Sequence, residues 1–397
     1  FILKSKRLGA IILACMLALS TSVPAFAAGE TTIGSQIEKE IPSESITSVL
    51  ENNAEIDPTC PWTADTQVQE VIPTYDLDNQ INGYILNLST DATNTGYLVY
   101  DISSGEPVLT EFGYEGVYSI QGEEVTKKSE LGKSKLIPVG INEYVLQKGN
   151  DLYTIKTNTK ITDQKDEIQK VVKQKETDIA DYIQSKQRAS TLSTRAQEIY
   201  SSVSVPNLFQ FGYYPVTFKF FEGHVSGNLG CTPIAGINML RYWTDVRGVS
   251  IFPKRMTAQD WYDAYDALAS FMGTDKNGST KVSTAFGNMG RFLNQYASNK
   301  PKGNDEKTKF LYIFGTLDFE WIKTQMNNGN PMCLAADASC QEGSTAKGGH
   351  TFFGVGYQLT STGDFIRVAN GWDTSFSHFI QWDAHKSHIE RAWYYRW

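Results

Sequence analysis

The stretch NLGCTPIAGINMLRYW, Asn228 to Trp243, constrains this chain more than any other. It opens on a glycine-rich turn, sets Cys231 at the bend and Pro233 just beyond it, and then runs almost wholly apolar. Proline suits the first turn of a helix, where its missing N–H is not needed, so the pattern predicts a helix that starts near Cys231 and is buried on most sides. A thiol at that position sits in a positive field. The unpaired N–H groups and the helix dipole favour the thiolate and can hold an oxyanion. Asn238 and Arg241, three apart, interrupt the apolar run on one face. A cysteine without context is as well read as a small buried hydrophobe, so the reading needs a second feature.

That feature lies more than a hundred positions downstream, in GGHTFFGVGYQ followed by DFIRVANGWD. Each half reads as a short strand with a polar residue at its edge: His350 begins one, and Asn370 closes the other, followed by Gly371 and Trp372. Cys, His and Asn in this order match the nucleophile, base and orienting amide of papain-type cysteine proteases. Gly-Cys-x-Pro at a helix start, the Tyr242-Trp243 pair, Gly349-His350 before an apolar strand ending Gly-Tyr, and Asn370-Gly371-Trp372 together resemble the bacterial secreted members of the papain clan. The nearest likeness is to bacteriocin-processing-type peptidases, and the more distant one to streptopain and staphopain. The resemblance covers roughly residues 205 to 397 and implies an α+β fold, a central helix packed on an antiparallel sheet. It also implies catalysis by Cys231, His350 and Asn370 on protein or peptide substrates, with no cofactor and no metal.

One position departs from the pattern, and one role has a rival. Papain-type enzymes place a glutamine amide shortly before the cysteine to bind the oxyanion, but Val225 stands six positions ahead of Cys231. Asn228, Gln210 and His224 are the candidates to replace it. Asp373, three residues after Asn370, rivals it as the orienting group, because bacteriocin-processing peptidases use aspartate.

The front of the chain carries a targeting pattern. Lys4, Lys6 and Arg7 precede an apolar run from Leu8 to about Leu19, then Pro24 and Ala25-Phe26-Ala27, which predicts a signal peptide over residues 1–27 and a product exported by a bacterium. A start at Phe1 rather than Met implies that the first residue or residues are missing. No later run reaches the roughly 18 apolar residues of a membrane span, so no membrane contact is expected once the signal is removed. The net charge of −8 argues against a nucleic-acid partner. The acidic excess lies in residues 28–199, whereas residues 200–397 are close to neutral, which points to two units of different role.

Residues 28–57 are polar and acidic and read as a flexible lead-in. Residues 58–160 read as a β-rich unit with turns at Asp78-Asn79, Ser104-Gly105 and Gly149-Asn150, and resemble a streptopain-like prodomain, which would act as an intramolecular inhibitor. Residues 161–200 form a charged helical linker that breaks at Ala189 to Thr194, either a processing site or an uncut connection. The peptidase-like unit fills 201–397. Within it, Val205 to Phe221 predicts a strand pair. DWYDAYDALASFMG and FGNMGRFLNQYA predict helices, and TDKNGST a turn rather than a calcium loop, since Phe286 stands where a carboxylate is needed. His378, His385 and His388 lack metal-site spacing and read as solvated or hydrogen-bonded surface residues. Cys333 and Cys340 are close enough in sequence to bridge, although Cys333 falls in an apolar run. Two other functions fit the same features: a catalytically idle surface binding or adhesion protein, and a transpeptidase or transamidase using the same thiol.

Overall fold

The computed structural model describes residues 37–120, 123–124, 134–155, 158–192, 200–210, 212–227, 229–309, 317–337 and 349–397. The signal segment, Asn228, Cys340 and the loop Ser339 to Gly348 lie outside the described residues.

The span expected to be a mobile lead-in instead contains helix α1 (Ser43–Ile56). Ile46, Val49 and Leu50 fall on one helical face and cluster with Trp62, Tyr84 and Leu86, so the scattered apolar residues of this stretch form a packing stripe. A meander follows: β1 (Gln67–Tyr75), β2 (Ile81–Thr90), β3 (Thr93–Asp101) and β4 (Val108–Gly113), each antiparallel to the last. Its turns fall where Asp78-Asn79 and Ser104-Gly105 predict them, with Asn79 and Gly105 at positive φ. The short pair β5 (Ser119–Ile120) and β6 (Glu123–Glu124) stands apart from the main sheet. A second meander, β7 (Lys135–Gly140), β8 (Glu143–Lys148) and β9 (Asp151–Thr154), joins β1 in parallel through the one pair Thr74 and Leu136. Helix α2 (Lys165–Leu192) lays Ile168, Val171 and Val172 over Ile137, Val139 and Leu152. It continues past Ala189, where the small polar residues predict a break.

Strand β10 (Ser201–Ser204) opens the back half. No strand pair follows over the described part of 205–221. Pro206 and Pro215 cannot donate to a ladder and Asn207 has φ 63°, so the chain turns and forms only the short helix α3 (Phe218–Phe221), capped by Thr217. Helix α4 (Cys231–Arg241) runs into a π turn, Tyr242–Val246. Helices α5 (Ala258–Met272) and α6 (Val282–Tyr296) pack beside it, α5 with a full Thr257–Asp260 capping box. Then come β11 (Gly303–Thr308), α7 (Phe319–Asn327), β12 (Met332–Asp337), β13 (Gly349–Thr360), β14 (Gly363–Ala369), β15 (His378–Gln381), the short α8 (Trp382–His385) and β16 (Ile389–Arg396).

All these strands except β5 and β6 belong to one sheet, ordered β11-β16-β12-β13-β14-β15-β4-β3-β2-β1-β7-β8-β9, with β10 added to the free part of the β13 edge. The architecture is mixed α+β, and a buried helix lies on a largely antiparallel sheet as expected. Helix α4 lies over β12 and β13, with nine of its residues buried. The two halves share cores: Phe365 and Phe379 of the back half sit in the α1 cluster, and Ile141 of the front half sits in the α4 cluster.

Candidate active site

Cys231 is the first residue of α4. Gly230 before it is extended and has no side chain to cap the first turn of the helix. A Cβ at Gly230 would stand 2.6 Å from the Gly278 carbonyl oxygen and 2.9 Å from the Thr274 methyl, so only glycine lets the turn at 275–279 press this close. That turn is built by Asp275, whose carboxylate accepts from the backbone of Asn277 and Ser279 at 2.8 and 3.0 Å. On the other side the Gly230 N–H donates to Tyr265 Oη at 2.7 Å. The cysteine is therefore fixed by groups from α5 and the turn after it.

His350 enters on β13, and its ring meets the Cys231 thiol in a hydrogen bond. The flanking residues lock this meeting: Thr232 and Thr351 share a buried hydroxyl hydrogen bond of 2.8 Å, and the Thr351 N–H donates to the sulfur. The thiol also lies 3.9 Å from the Gly349 carbonyl. The His350 Nε2–H donates to the backbone carbonyl of Asn370 at 2.5 Å, which leaves Nδ1 for the sulfur. Trp372 stacks over Phe218 at 4.0 Å and lies 5.9 Å from the His350 ring. Phe218 is held there by its N–H, which donates to the carbonyl of Gly371, a residue at φ 82°.

The side chain of Asn370 does something else than the sequence predicts. Its Oδ1 accepts from the N–H groups of Trp372 and Asp373, and its Nδ2 faces Asp373 and His378. Asparagine thus shapes the turn while its main-chain oxygen meets the imidazole. Asp373, the rival, pairs with His378 Nε2 at 2.9 Å. His378 Nδ1 in turn meets Tyr97 Oη of β3 at 2.8 Å. One continuous chain of contacts therefore runs Tyr97, His378, the Asn370–Asp373 turn, His350, Cys231.

The electrostatics follow from this packing. Burial raises the Cys231 thiol, but the hydrogen bond and charge of His350 and the Thr351 N–H outweigh it and bring the group down to about 7. For His350, burial lowers proton affinity, and the thiolate and the Asn370 carbonyl more than reverse this, so it is raised. Glu143, on β8 of the front half, contributes to that rise. Cys60 and Cys333 contrast with Cys231, since burial pushes their thiols up, that of Cys60 to about 12 against the weaker pull of the Trp62 N–H and the Arg367 charge. Cys333 is free and fully buried in β12.

Of the expected oxyanion groups, Asn228 lies outside the described residues. Gln210 is exposed on the turn after β10, and His224 stacks on Tyr262 at 4.6 Å; among the described residues neither shows a contact with Cys231. His378, His385 and His388 are not at the surface: they are 8, 1 and 2% exposed, because β15, α8 and the turn after it are sandwiched between the two halves, and His378 is hydrogen-bonded to Tyr97 and Asp373. Among the described residues no group of three or more His, Cys, Asp or Glu is set to hold a metal ion. Phe218, the paired threonines, Tyr265, His378 and Glu143 escape the sequence reading. The threonines alone leave a local signal, since one follows both Cys231 and His350.

A paired thiol and imidazole at a helix start can perform nucleophilic acyl chemistry. Residues 202–396 match the model of the Peptidase_C39 like family, which supports a papain-clan, cysteine-peptidase-like protein acting on proteins or peptides. No curated protein matches the chain. Among the described residues no helix is long and apolar enough to cross a membrane.

Proposed function

We propose that the cysteine-peptidase-like unit is an endopeptidase made as a secreted bacterial zymogen, with Cys231 as nucleophile and His350 as base and acid. The observation that carries this reading is the hydrogen bond between the two side chains at the start of α4. The thiolate attacks a peptide carbonyl carbon and forms a C–S bond, and the N–H groups at the start of α4 receive the oxyanion. Collapse of the tetrahedral intermediate breaks the C–N bond, and His350 gives its proton to the leaving amine. Water, deprotonated by His350, then hydrolyses the thioester and restores the thiol. In this scheme Asn370 orients the imidazole through its carbonyl, and Trp372 with Phe218 keeps water from that hydrogen bond.

Residues 28 to about 195 serve in this reading as the prosegment. What supports it is the turn between β7 and β8, where Ile141 packs into the back-half core and the charge of Glu143 acts on His350. Export rests on the signal-like residues 1–27 alone. The test is incubation with casein, and labelling with an iodoacetamide or epoxide-type probe, in wild type and Cys231→Ala. Labelled Cys231, unlabelled Cys60 and casein fragments lost in the variant are expected. Slow, equal labelling of native and denatured protein would defeat the reading in favour of an idle binding unit, and amine-capped products would favour transfer over hydrolysis.

A further inference from the structure

We propose that residues 37–192 remain bound to residues 200–397 after the connection between them is cut, so that the front half is a permanent second fragment of the working protein. The inference takes from the proposed function only the idea that the front half is a prosegment.

Three features of the interface carry it. The sheet crosses it without interruption, through the pairs His378 with Gly113, Phe379 with Phe112 and Ile380 with Glu111. Phe365 and Phe379 of the back half are fully buried by the front half, with Phe379 stacked on Phe112 at 4.4 Å and Phe365 edge-on to it at 4.9 Å. Arg367, only 1% exposed, directs one guanidinium nitrogen to Asp57 at 3.0 Å and another to Thr59 Oγ1 at 2.7 Å. Gln358 adds 2.7 Å to the same Asp57 carboxylate and 2.8 Å to Tyr114 Oη.

Departure of the front half would strip a buried arginine of its counter-ion, expose Phe365 and Phe379 and leave β15 an open edge. A segment meant to dissociate presents a face that both parts can return to water. This one does not: the core of each half contains residues of the other. The site also depends on the contact, because Tyr97 of β3 closes the chain that ends at His350. Any relief of inhibition has then to come from movement within the bound front half.

The experiment uses the full exported chain carrying Cys231→Ala, so that self-digestion plays no part and the outcome is independent of peptidase activity. Residues 194–198 are replaced by a long Gly/Ser-flanked recognition sequence for a specific protease, the chain is cut to completion, and the product is run on native size-exclusion with mass detection. Both fragments are expected at the volume of the uncut chain. Elution of the fragments as two separate species in native buffer would overturn the proposal. In the cut protein, Asp57→Asn and Asp57→Ala are expected to raise the fragment dissociation constant by about a hundredfold or more, the usual consequence of leaving a buried charge unpaired. Unchanged retention in both would overturn the assignment of the latch to Arg367 and Asp57.

Discussion

Cys231 and His350 each set the other's protonation. A free thiol is only a few per cent ionised at neutral pH, whereas one brought to about 7 is half ionised there. Alkylation of Cys231 by iodoacetamide is therefore expected to rise with a midpoint near pH 7. In His350→Ala the midpoint should move upward, with at least about a tenfold slower reaction at pH 7, because the hydrogen bond and charge that oppose burial are gone. An unmoved midpoint would mean that the helix start alone ionises the sulfur. Asn370→Ala separates the two roles of the asparagine. Its carbonyl survives the substitution, so the alkylation midpoint is expected to stay near that of wild type, while loss of the Oδ1 anchor to Trp372 and Asp373 loosens the turn and slows casein hydrolysis by about tenfold. A midpoint shift like that of His350→Ala would show that the amide itself orients the ring. Cys231, His350 and Asn370 were readable in the sequence because each stands at the end of an apolar run beside glycine. Phe218, His378 and Glu143 were not, since they meet the site only through tertiary contacts between segments far apart in the chain.

Helix α4 is held at its N-terminus by the approach of another turn rather than by a cap. Gly230→Ala forces Gly278 and Thr274 aside, and overpacking of this kind costs about 1–3 kcal/mol. The expected result is a thermal midpoint several degrees lower, together with slower Cys231 alkylation as the helix start shifts. Retention of both values would show that the 275–279 turn yields without effect. Helices α2, α5 and α6 were legible because helical periodicity agrees with their burial, and α5 adds a capping box. Residues 205–221 differ from the strand pair that their aromatic run suggests, because two prolines and a positive-φ asparagine decide the backbone. Helix α1 was overlooked for the opposite reason: its few apolar residues look sparse in a linear reading and form a stripe only once wound.

At the scale of the whole molecule, the charge asymmetry and the linker suggested two units, and nothing in the sequence indicated that their strands form one sheet. Strand pairing between distant segments leaves no periodicity to read. The junction also titrates. His385, 1% exposed, has no hydrogen-bond partner for either ring nitrogen among the described residues. Burial, then the charges of Lys175 and His388, hold its proton affinity well below the ordinary histidine range, with Glu111 lying 3.7 Å away. An unfolded histidine takes up its proton near pH 6.5, before the folded one does, so this contribution to stability is complete above that pH and is lost progressively as pH falls from there through the lower folded value. Glu111, raised mainly by burial, works in the opposite sense deeper into acid. The urea midpoint is expected to drop between pH 7.5 and 6, and to drop less in His385→Leu, which removes the titrating ring. An equal drop in both would place the acid sensitivity elsewhere.

The parallel join of β7 to β1 rests on a single residue pair, while every neighbouring junction of the front meander is a ladder. A sheet parts first along its thinnest seam. Thermal breathing or a mechanical tug would thus strain first at Thr74 and Leu136, leaving the β7–β8 hairpin clasped by α2 through Ile137 and Val139 while the frame around Arg367 holds still.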